Sequence, residues 1–341
     1  MARPKGLKML HKLIWQLSVT SRATLNTVVL VLLGLLGCTP LSHATDAQPW
    51  PTKQISLIVP YPPGAITDTV GRRLGSQLGI ALGVPVLIEN RPGAGANLGA
   101  LYVSNAAPNG STLLFTSYGN IMIDSVTEAQ HKLTPVAVVG PMTVVMLVRP
   151  DLPIKTIDDL VDYARANPQK ISFASVGNGS SYHLLIEQMN TLGKLDMVHI
   201  PYKGGAASMA DFLGGRVDVM LATWLFAKPY VTDQRARAVG LVNEQRSPTL
   251  PDLATVNERA IPGVRLVDGL GIFAPKGLPE HLVLQLNKEV NRLIEEPEMK
   301  AWLTNEAIAP TPMSATAFAA MLRDEAKPLG KLIQDNKIGM K

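Results

Sequence analysis

From about residue 50 onward the chain alternates short aliphatic, β-branched runs with stretches whose apolar positions recur every three or four residues. That alternation marks an α/β architecture. The runs predict ten strands, at 55–59, 84–88, 112–116, 136–139, 144–148, 171–174, 198–200, 217–221, 236–241 and 270–274. Helices are expected over 68–82, 95–106, 157–167, 181–191, 206–213, 280–295, 297–305 and 315–335. Val70, Leu74 and Leu78 give the first helix one apolar face. Thr156-Ile-Asp-Asp159 has the form of a capping box with Asp in the Glu position, and Asn167-Pro168 ends that helix. Gly71, Gly75 and Gly79 recur every fourth residue, which in a soluble helix reads as close packing. The runs at 144–148 and 270–274 bracket a middle section with its own complete strand–helix alternation. Two such strands are what a chain needs to enter a second domain once and return once. No internal repeat or low-complexity tract stands out.

Three strand-to-helix joints carry the polar chemistry. In Val59-Pro-Tyr-Pro-Pro-Gly-Ala-Ile-Thr-Asp68 the prolines stop the strand and stiffen the turn, and Gly64 permits a close approach. Thr67 or Asp68 is expected to cap the following helix. Unpaired N–H groups at a helix start, with the dipole behind them, suit a small anion. An ordinary βα connection has the same outline, so this joint alone leaves both readings open. The second joint is Ser172-Phe-Ala-Ser-Val-Gly-Asn-Gly-Ser-Ser-Tyr-His183, dense in small polar residues. Ser175, Asn178, Ser180 and Ser181 offer hydroxyl and amide groups there, with plain helix capping by Ser180 or Ser181 as the competing role. The third is Ile200-Pro-Tyr-Lys-Gly-Gly205, where Lys203 either meets an anion or stays solvated, and Tyr202 either joins it at the ligand or packs in the core with its hydroxyl at the rim.

Charge and the N-terminus change the picture in one step. Residues 1–26 carry Arg3, Lys5, Lys8, Lys12 and Arg22 and no acid, then Val28 to Leu36 are apolar, and Ser42-His-Ala44 follows. This is the pattern of a secretory signal peptide, with cleavage expected after Ala44. Leu35-Leu-Gly-Cys38 offers a lipoprotein-type cut as the alternative. The chain has 32 Lys and Arg against 27 Asp and Glu, and all five excess positive charges lie in that leader. The remaining 297 residues are therefore neutral, and the basic balance implies neither nucleic acid nor a membrane surface. Cys38 is the only cysteine, so no intramolecular disulfide forms and the exported chain rests on its core. Enzyme signatures are poor: no Gly-x-Ser-x-Gly elbow, Walker loop or His-Glu-x-x-His occurs. His131, His183, His199 and His281 lack metal-ligand spacing. Gly93-Ala-Gly-Ala-Asn-Leu-Gly99 misses the dinucleotide fingerprint.

These segments, in this order, resemble the Bug-type solute-binding proteins, extracytoplasmic receptors of tripartite tricarboxylate transporters. The likeness is carried by Ile55 to Asp68, by Pro85-Val-Leu-Ile-Glu-Asn-Arg-Pro-Gly-Ala-Gly-Ala-Asn97 and by Ala107-Pro-Asn-Gly-Ser-Thr-Leu-Leu114. It continues through Ser175 to Leu184, Val198 to Gly204, Leu213 to Met220, Arg246 to Thr255 and Ala274 to Pro279. The resemblance implies a two-domain, type II periplasmic-binding-protein-like α/β fold with two crossing hinge strands. The domains are expected at 45–149 with 263–341, and at 150–262.

It further implies a small organic acid held in the interdomain cleft and delivered to membrane permease subunits. No cofactor, metal or nucleic acid is expected, and a monomer is. Tyr61, Pro63, Gly64, Ala65, Thr67 and Asp68 would contribute from the first domain. Ser175, Asn178, Gly179, Ser180, Ser181, Tyr202, Lys203 and Gly204 would contribute from the second, with Ser117 and Tyr118 as additional contacts. Three departures matter: Ala65 stands where relatives carry a second Gly, the 118–132 segment is short, and Ala222-Thr-Trp224 replaces an Asp-bearing wall. A less polar cleft wall is the expectation, suited to an aromatic or aliphatic acid. A ligand sensor presenting its closed form to a signalling receptor is the alternative function; an exported enzyme is disfavoured.

Overall fold

A computed structural model describes residues 50–51, 53–123 and 132–336. The expected leader with Ala44 and Cys38, and the rim residues 124–131 with His131, lie outside the described residues.

All ten apolar runs form strands, in two five-stranded sheets. The first sheet holds β1 (Ile55–Val59), β2 (Val86–Asn90), β3 (Thr112–Ser117), β4 (Leu133–Pro141) and β10 (Gly269–Pro275). The second holds β5 (Val144–Val148), β6 (Ser172–Ser175), β7 (Val198–Pro201), β8 (Val219–Thr223) and β9 (Arg237–Leu241). Their orders are β2-β1-β3-β10-β4 and β7-β6-β8-β5-β9, the same pattern twice. In each, three neighbouring strands pair in parallel, and the fourth in the order lies antiparallel to both its neighbours: β10 against β3 and β4, and β5 against β8 and β9.

Eleven α-helices accompany the strands among the described residues. The first half contributes α1 (Ile66–Leu82), α2 (Asn97–Ser104) and α3 (Tyr118–Ile123). Next come α4 (Ile157–Ala166), α5 (Ser181–Gly193), α6 (Gly205–Leu213), α7 (Trp224–Thr232) and α8 (Val256–Arg259). The last three are α9 (Glu280–Glu295), α10 (Pro297–Asn305) and α11 (Ala315–Asn336). Val70, Leu74 and Leu78 are buried as the pattern requires. The glycine series of α1 is also a packing device. A Cβ on Gly71 would meet Phe115 at 3.0 Å, and one on Gly75 would meet Ile88 at 2.9 Å. Both sheets are covered on two faces, giving four clusters of buried apolar side chains.

Several boundaries move for local reasons. The second strand starts at Val86, not 84, because Gly83 turns left-handed and the Val84 N–H closes α1 on the Gly79 carbonyl at 3.2 Å. Helix α1 begins at Ile66 with Ala65 as its cap residue, so neither Thr67 nor Asp68 caps it. Ala65 sits at φ −65°, ψ 158°, a conformation that needs no glycine. The capping box of α4 forms as expected: Thr156 Oγ1 accepts from the Asp159 N–H at 3.1 Å, and Asp159 Oδ2 accepts from the Thr156 N–H at 3.0 Å. Helices α3, α7 and α8 were absent from the expected set. The first and last are six and four residues long, too short for a period, and α7 contains Pro229.

The chain crosses between sheets at Met142–Thr143, ahead of the expected boundary at 149, so β5 belongs wholly to the second sheet. It returns through 242–268. The two crossings run side by side. Met142 N–H donates to the Asp268 carbonyl at 3.2 Å, and the Asn243 side chain bridges Met142 O (2.7 Å) and Val144 N (2.9 Å).

Candidate functional site

In sheets of this kind the groups free to meet a ligand collect at the C-terminal ends of the parallel strands. Here β1, β3, β6, β7 and β8 each lead into a helix start. The Ile66 and Thr67 N–H groups at the head of α1 have no acceptor among the described residues, nor do those of Gly205 and Ala206 at the head of α6.

The turn before α1 is set by Asp68. Its Oδ2 accepts from the Gly64 N–H at 2.9 Å and from Arg72 Nε at 3.0 Å, while Oδ1 accepts from Asn90 Nδ2 at 2.8 Å. Burial opposes its charge, but the Arg72, Gly64 and Asn90 bonds hold its pKa below the ordinary value. The carboxylate is thus spent inside its own loop. Gly64, at φ +82°, supplies the left-handed residue that the turn needs. Pro63 and Gly64 are exposed, Ala65 is half-buried and Thr67 is buried.

The second loop folds on its own serines and two histidines. Ser175 Oγ accepts from the Gly177 N–H at 3.1 Å and lies 2.6 Å from His199 Nε2. Ser180 caps α5, accepting from the His183 N–H at 3.3 Å, and its hydroxyl donates to the Gly177 carbonyl at 2.8 Å. The Gly179 N–H donates to His183 Nδ1 at 3.0 Å. His183 and His199 stack with ring centroids 3.8 Å apart, and Phe173 covers His199 at 4.8 Å. Burial, reinforced by His183, pushes His199 down to about 4; burial also lowers His183, so both rings are neutral at physiological pH. Asn178 is exposed at the loop tip. Tyr202 joins the loop through its N–H to the Ser175 carbonyl (3.0 Å) and ties its hydroxyl to Asp211 (2.9 Å). Lys203 is exposed and makes no hydrogen bond or ion pair with the described residues, beside half-buried Gly204.

Where the two halves meet, polar groups from both sides interlock. Asn120 Nδ2 donates to the Tyr61 hydroxyl at 2.8 Å, and Asn120 Oδ1 faces the Ser181 N–H, on the first residue of α5, at 3.4 Å. Behind them Asp268 Oδ1 accepts from Ser117 Oγ (2.6 Å), Gly119 N (3.1 Å) and Gly269 N (2.7 Å), and Ser181 also hydrogen-bonds to this carboxyl. Burial raises Asp268 to about 6 against those bonds. Tyr61 is pushed up to about 12 by burial and by Asp268. Of the expected residues, Tyr61, Ser117 and Ser181 are therefore brought together. Tyr118 borders them from behind: its ring is buried against Phe318 at 5.9 Å, in the cluster under α11, and it interacts with Asp268. It is the first residue of α3, directly after β3.

Asn120 and Asp268 were missed. Asn120 lies in a helix too short to show a period. The available signal for Asp268 was a single acid abutting the fully apolar run of β10. Ala222 and Thr223 end β8 buried, and the Trp224 N–H donates to the Thr143 carbonyl at 2.9 Å.

Two matched sheets joined by paired crossings, with helix starts at the ends of the parallel strands of each, define a two-lobed solute-binding protein. Among solved structures the chain resembles the Rhodopseudomonas palustris protein Rpa4515 with adipate, at 26% identity and a TM-score of 0.79 over 85% of this chain and 99% of that one. It likewise resembles MatC from Rhodopseudomonas palustris with bound malate, at 28% identity and a TM-score of 0.75 over 83% and 100%. A protein from the tcbD-tcbE intergenic region of Pseudomonas sp. strain P51 is 30% identical over 91% of this chain and 94% of that protein. Residues 70–338 match the model of the tripartite tricarboxylate transporter family receptor, and the chain belongs to that family. The family is periplasmic and works with membrane permease components, and its fold is that of solute-binding proteins rather than enzymes. No helix among the described residues is long and apolar enough to cross a membrane.

Proposed function

We propose that this protein captures a small carboxylate between its lobes, closes on it without covalent chemistry, and delivers it to a tripartite tricarboxylate-type permease. The observation that carries this reading is that each lobe has a helix start with unspent N–H groups. The unspent N–H groups of Ile66 and Thr67 lie at the head of α1, and those of Gly205 and Ala206 at the head of α6. The exposed cation of Lys203 adds to them. Such groups neutralise a carboxylate without a buried arginine. The adipate and malate in the two Rhodopseudomonas palustris structures support the ligand class.

The lobes are assigned to 45–149 with 263–341 and to 150–262, adjusted so that β5 moves with the second lobe. The crossings Met142–Thr143 and 242–268 form the hinge, and ligand binding favours the closed form by linkage. The mature chain is taken to start after Ala44 and to act as a monomer.

A thermal-shift screen of mono-, di- and tricarboxylates, amino acids and nicotinate-like acids tests the reading, because a ligand specific for the native state raises the melting temperature. A concentration-dependent rise with a carboxylate is expected. No shift with any acid, or turnover of a bound acid, would overturn it.

A further inference from the structure

The tip of the loop between β6 and α5 hangs on one imidazole. Gly177 and Ser180 close the base of the turn on each other and on Ser175, whereas Gly179 is held by a side chain, its N–H donating to His183 Nδ1 at 3.0 Å. Gly179 has a positive φ of 72°, and a Cβ there would meet nothing within 4 Å, so space is open around the tip.

A ring nitrogen that accepts an N–H carries no proton, so the proton of neutral His183 sits on Nε2, which lies 3.8 Å from Glu187 Oε1. Protonation at Nδ1 would set two donors against each other across 3.0 Å and break the Gly179 bond. His199 differs. Its Nε2 lies 2.6 Å from Ser175 Oγ, which can accept from an imidazolium and turn its own proton to the Gly177 carbonyl at 3.0 Å. His199 acts through the stack instead: its ring centroid is 3.8 Å from that of His183, so a charge on either ring opposes a charge on the other.

Few charged groups face the pair. Helix α5 itself brings Glu187, whose pKa is raised by burial and by Asp196 on the connector to β7. Strand β6 brings neutral Phe173 and Ser175, and α3 turns neutral Asn120 toward the head of α5. Arg265 and Glu325 of the returning crossing and α11 face α5 across a small cavity at Leu184, Leu185 and Gln188, and pair with each other. Asp211 of α6, a helix packed on the other face of the sheet with Ala174 and Ile200, is bound to Tyr202 and Arg216. Burial thus decides the state of the rings and lowers both below the ordinary histidine value.

We propose that His183 is a positioning residue for the 175–181 loop and that its protonation frees the loop tip, so that carboxylate capture weakens in acid. The proposal rests on the receptor reading and adds a regulation to it.

Two measurements test it. On the unliganded protein, the amide protection factor of Gly179, read by NMR from pH 7.5 to 4.5, should fall about 10-fold, the worth of one hydrogen bond, while those of β6 stay level. In His183→Asn, whose side-chain oxygen keeps an acceptor near the place of Nδ1 and takes up no proton, it should not change with pH. Should that variant fold poorly, the Nδ1 shift of wild-type His183 must titrate together with the Gly179 protection. Protection that stays level while His183 titrates, or a His183 that stays neutral throughout, would overturn the release. The second measurement is calorimetric titration with adipate, malate, citrate and nicotinate over the same range. The wild type should lose about 10-fold more affinity in acid than His183→Asn, a comparison in which the acid's own protonation cancels. Equal losses, or a wild-type affinity that rises as an imidazolium drawing in the carboxylate would make it, would overturn the role of His183 and leave the receptor standing. Absence of binding by all four acids at pH 7.5 would count against the receptor reading itself, and amide exchange then decides for or against His183 alone.

Discussion

The two buried ionisable features pull stability in opposite directions with pH, and Asp268→Asn separates them. The Asp268 pKa is raised from 3.8 to about 6, so between those values the folded protein holds a proton that the unfolded chain has lost. Stability from this group is complete below pH 4 and falls as pH rises through 6, by about 3 kcal/mol for the two-unit shift. His199 does the reverse. Its pKa falls from 6.5 to about 4, so the unfolded chain takes up the proton first, and stability is lost as pH drops through that window, by less than about 3 kcal/mol because solvent screens the half-buried ring. In the wild-type protein the two partly offset between pH 4 and 6. Asparagine keeps a neutral acceptor for Ser117, Gly119 and Gly269, so only the histidine contribution remains. The variant should match the wild type near pH 4 and exceed it by about 3 kcal/mol at neutral pH, a rise in Tm of about 6–10 °C for a chain of this size. Thermal melts at about pH 4.5, 5.5, 6.5 and 7.5 measure it. A variant less stable than wild type by the same margin at every pH would refute the claim that Asp268 is strained by burial.

Other consequences are simpler to read. Phe318 is fully buried against Tyr118 and Phe273, so Phe318→Ala should cost about 3–5 kcal/mol in chemical denaturation by leaving a cavity under α11. Thr156→Ala removes the Oγ1 acceptor of the Asp159 N–H in the α4 box, leaving the backbone N–H bond to Asp159 Oδ2, and should cost about 1 kcal/mol in the same assay, with ligand affinity unchanged. Lys203→Ala, at an exposed position, should leave the melting temperature within a degree or so while weakening calorimetric affinity for the captured acid. Equal affinity would remove that loop from the site.

The strands were legible because each is a short apolar run covered on both faces, and a buried strand has little freedom to look otherwise. Sheet order was less so. That β5 and β10 each lie antiparallel between two strands of their sheet depends on contacts about 70 to 150 residues apart, which no local pattern records. The loops at 61–68, 175–181 and 202–204 could be read from Pro, Gly and Ser chemistry alone. Their internal wiring could not: Asp68 turns back onto Gly64 rather than facing outward, and His183 and His199, sixteen residues apart in the chain, stack only because β7 lies beside β6. Asp268 was invisible for the same reason. A carboxylate's burial is decided by the Ser117, Gly119 and Ser181 groups that surround it, and these come from two other segments, one about 150 and one about 90 residues away.

The most direct test of a ligand held between the lobes is a crystal structure with the acid giving the largest thermal shift. The account predicts one ordered acid in the cleft, its carboxylate accepting from the Ile66 and Thr67 N–H groups and its far side touching the 175–181 or 202–204 loop of the other lobe. An acid bound to one lobe alone, or outside the space between them, would contradict it.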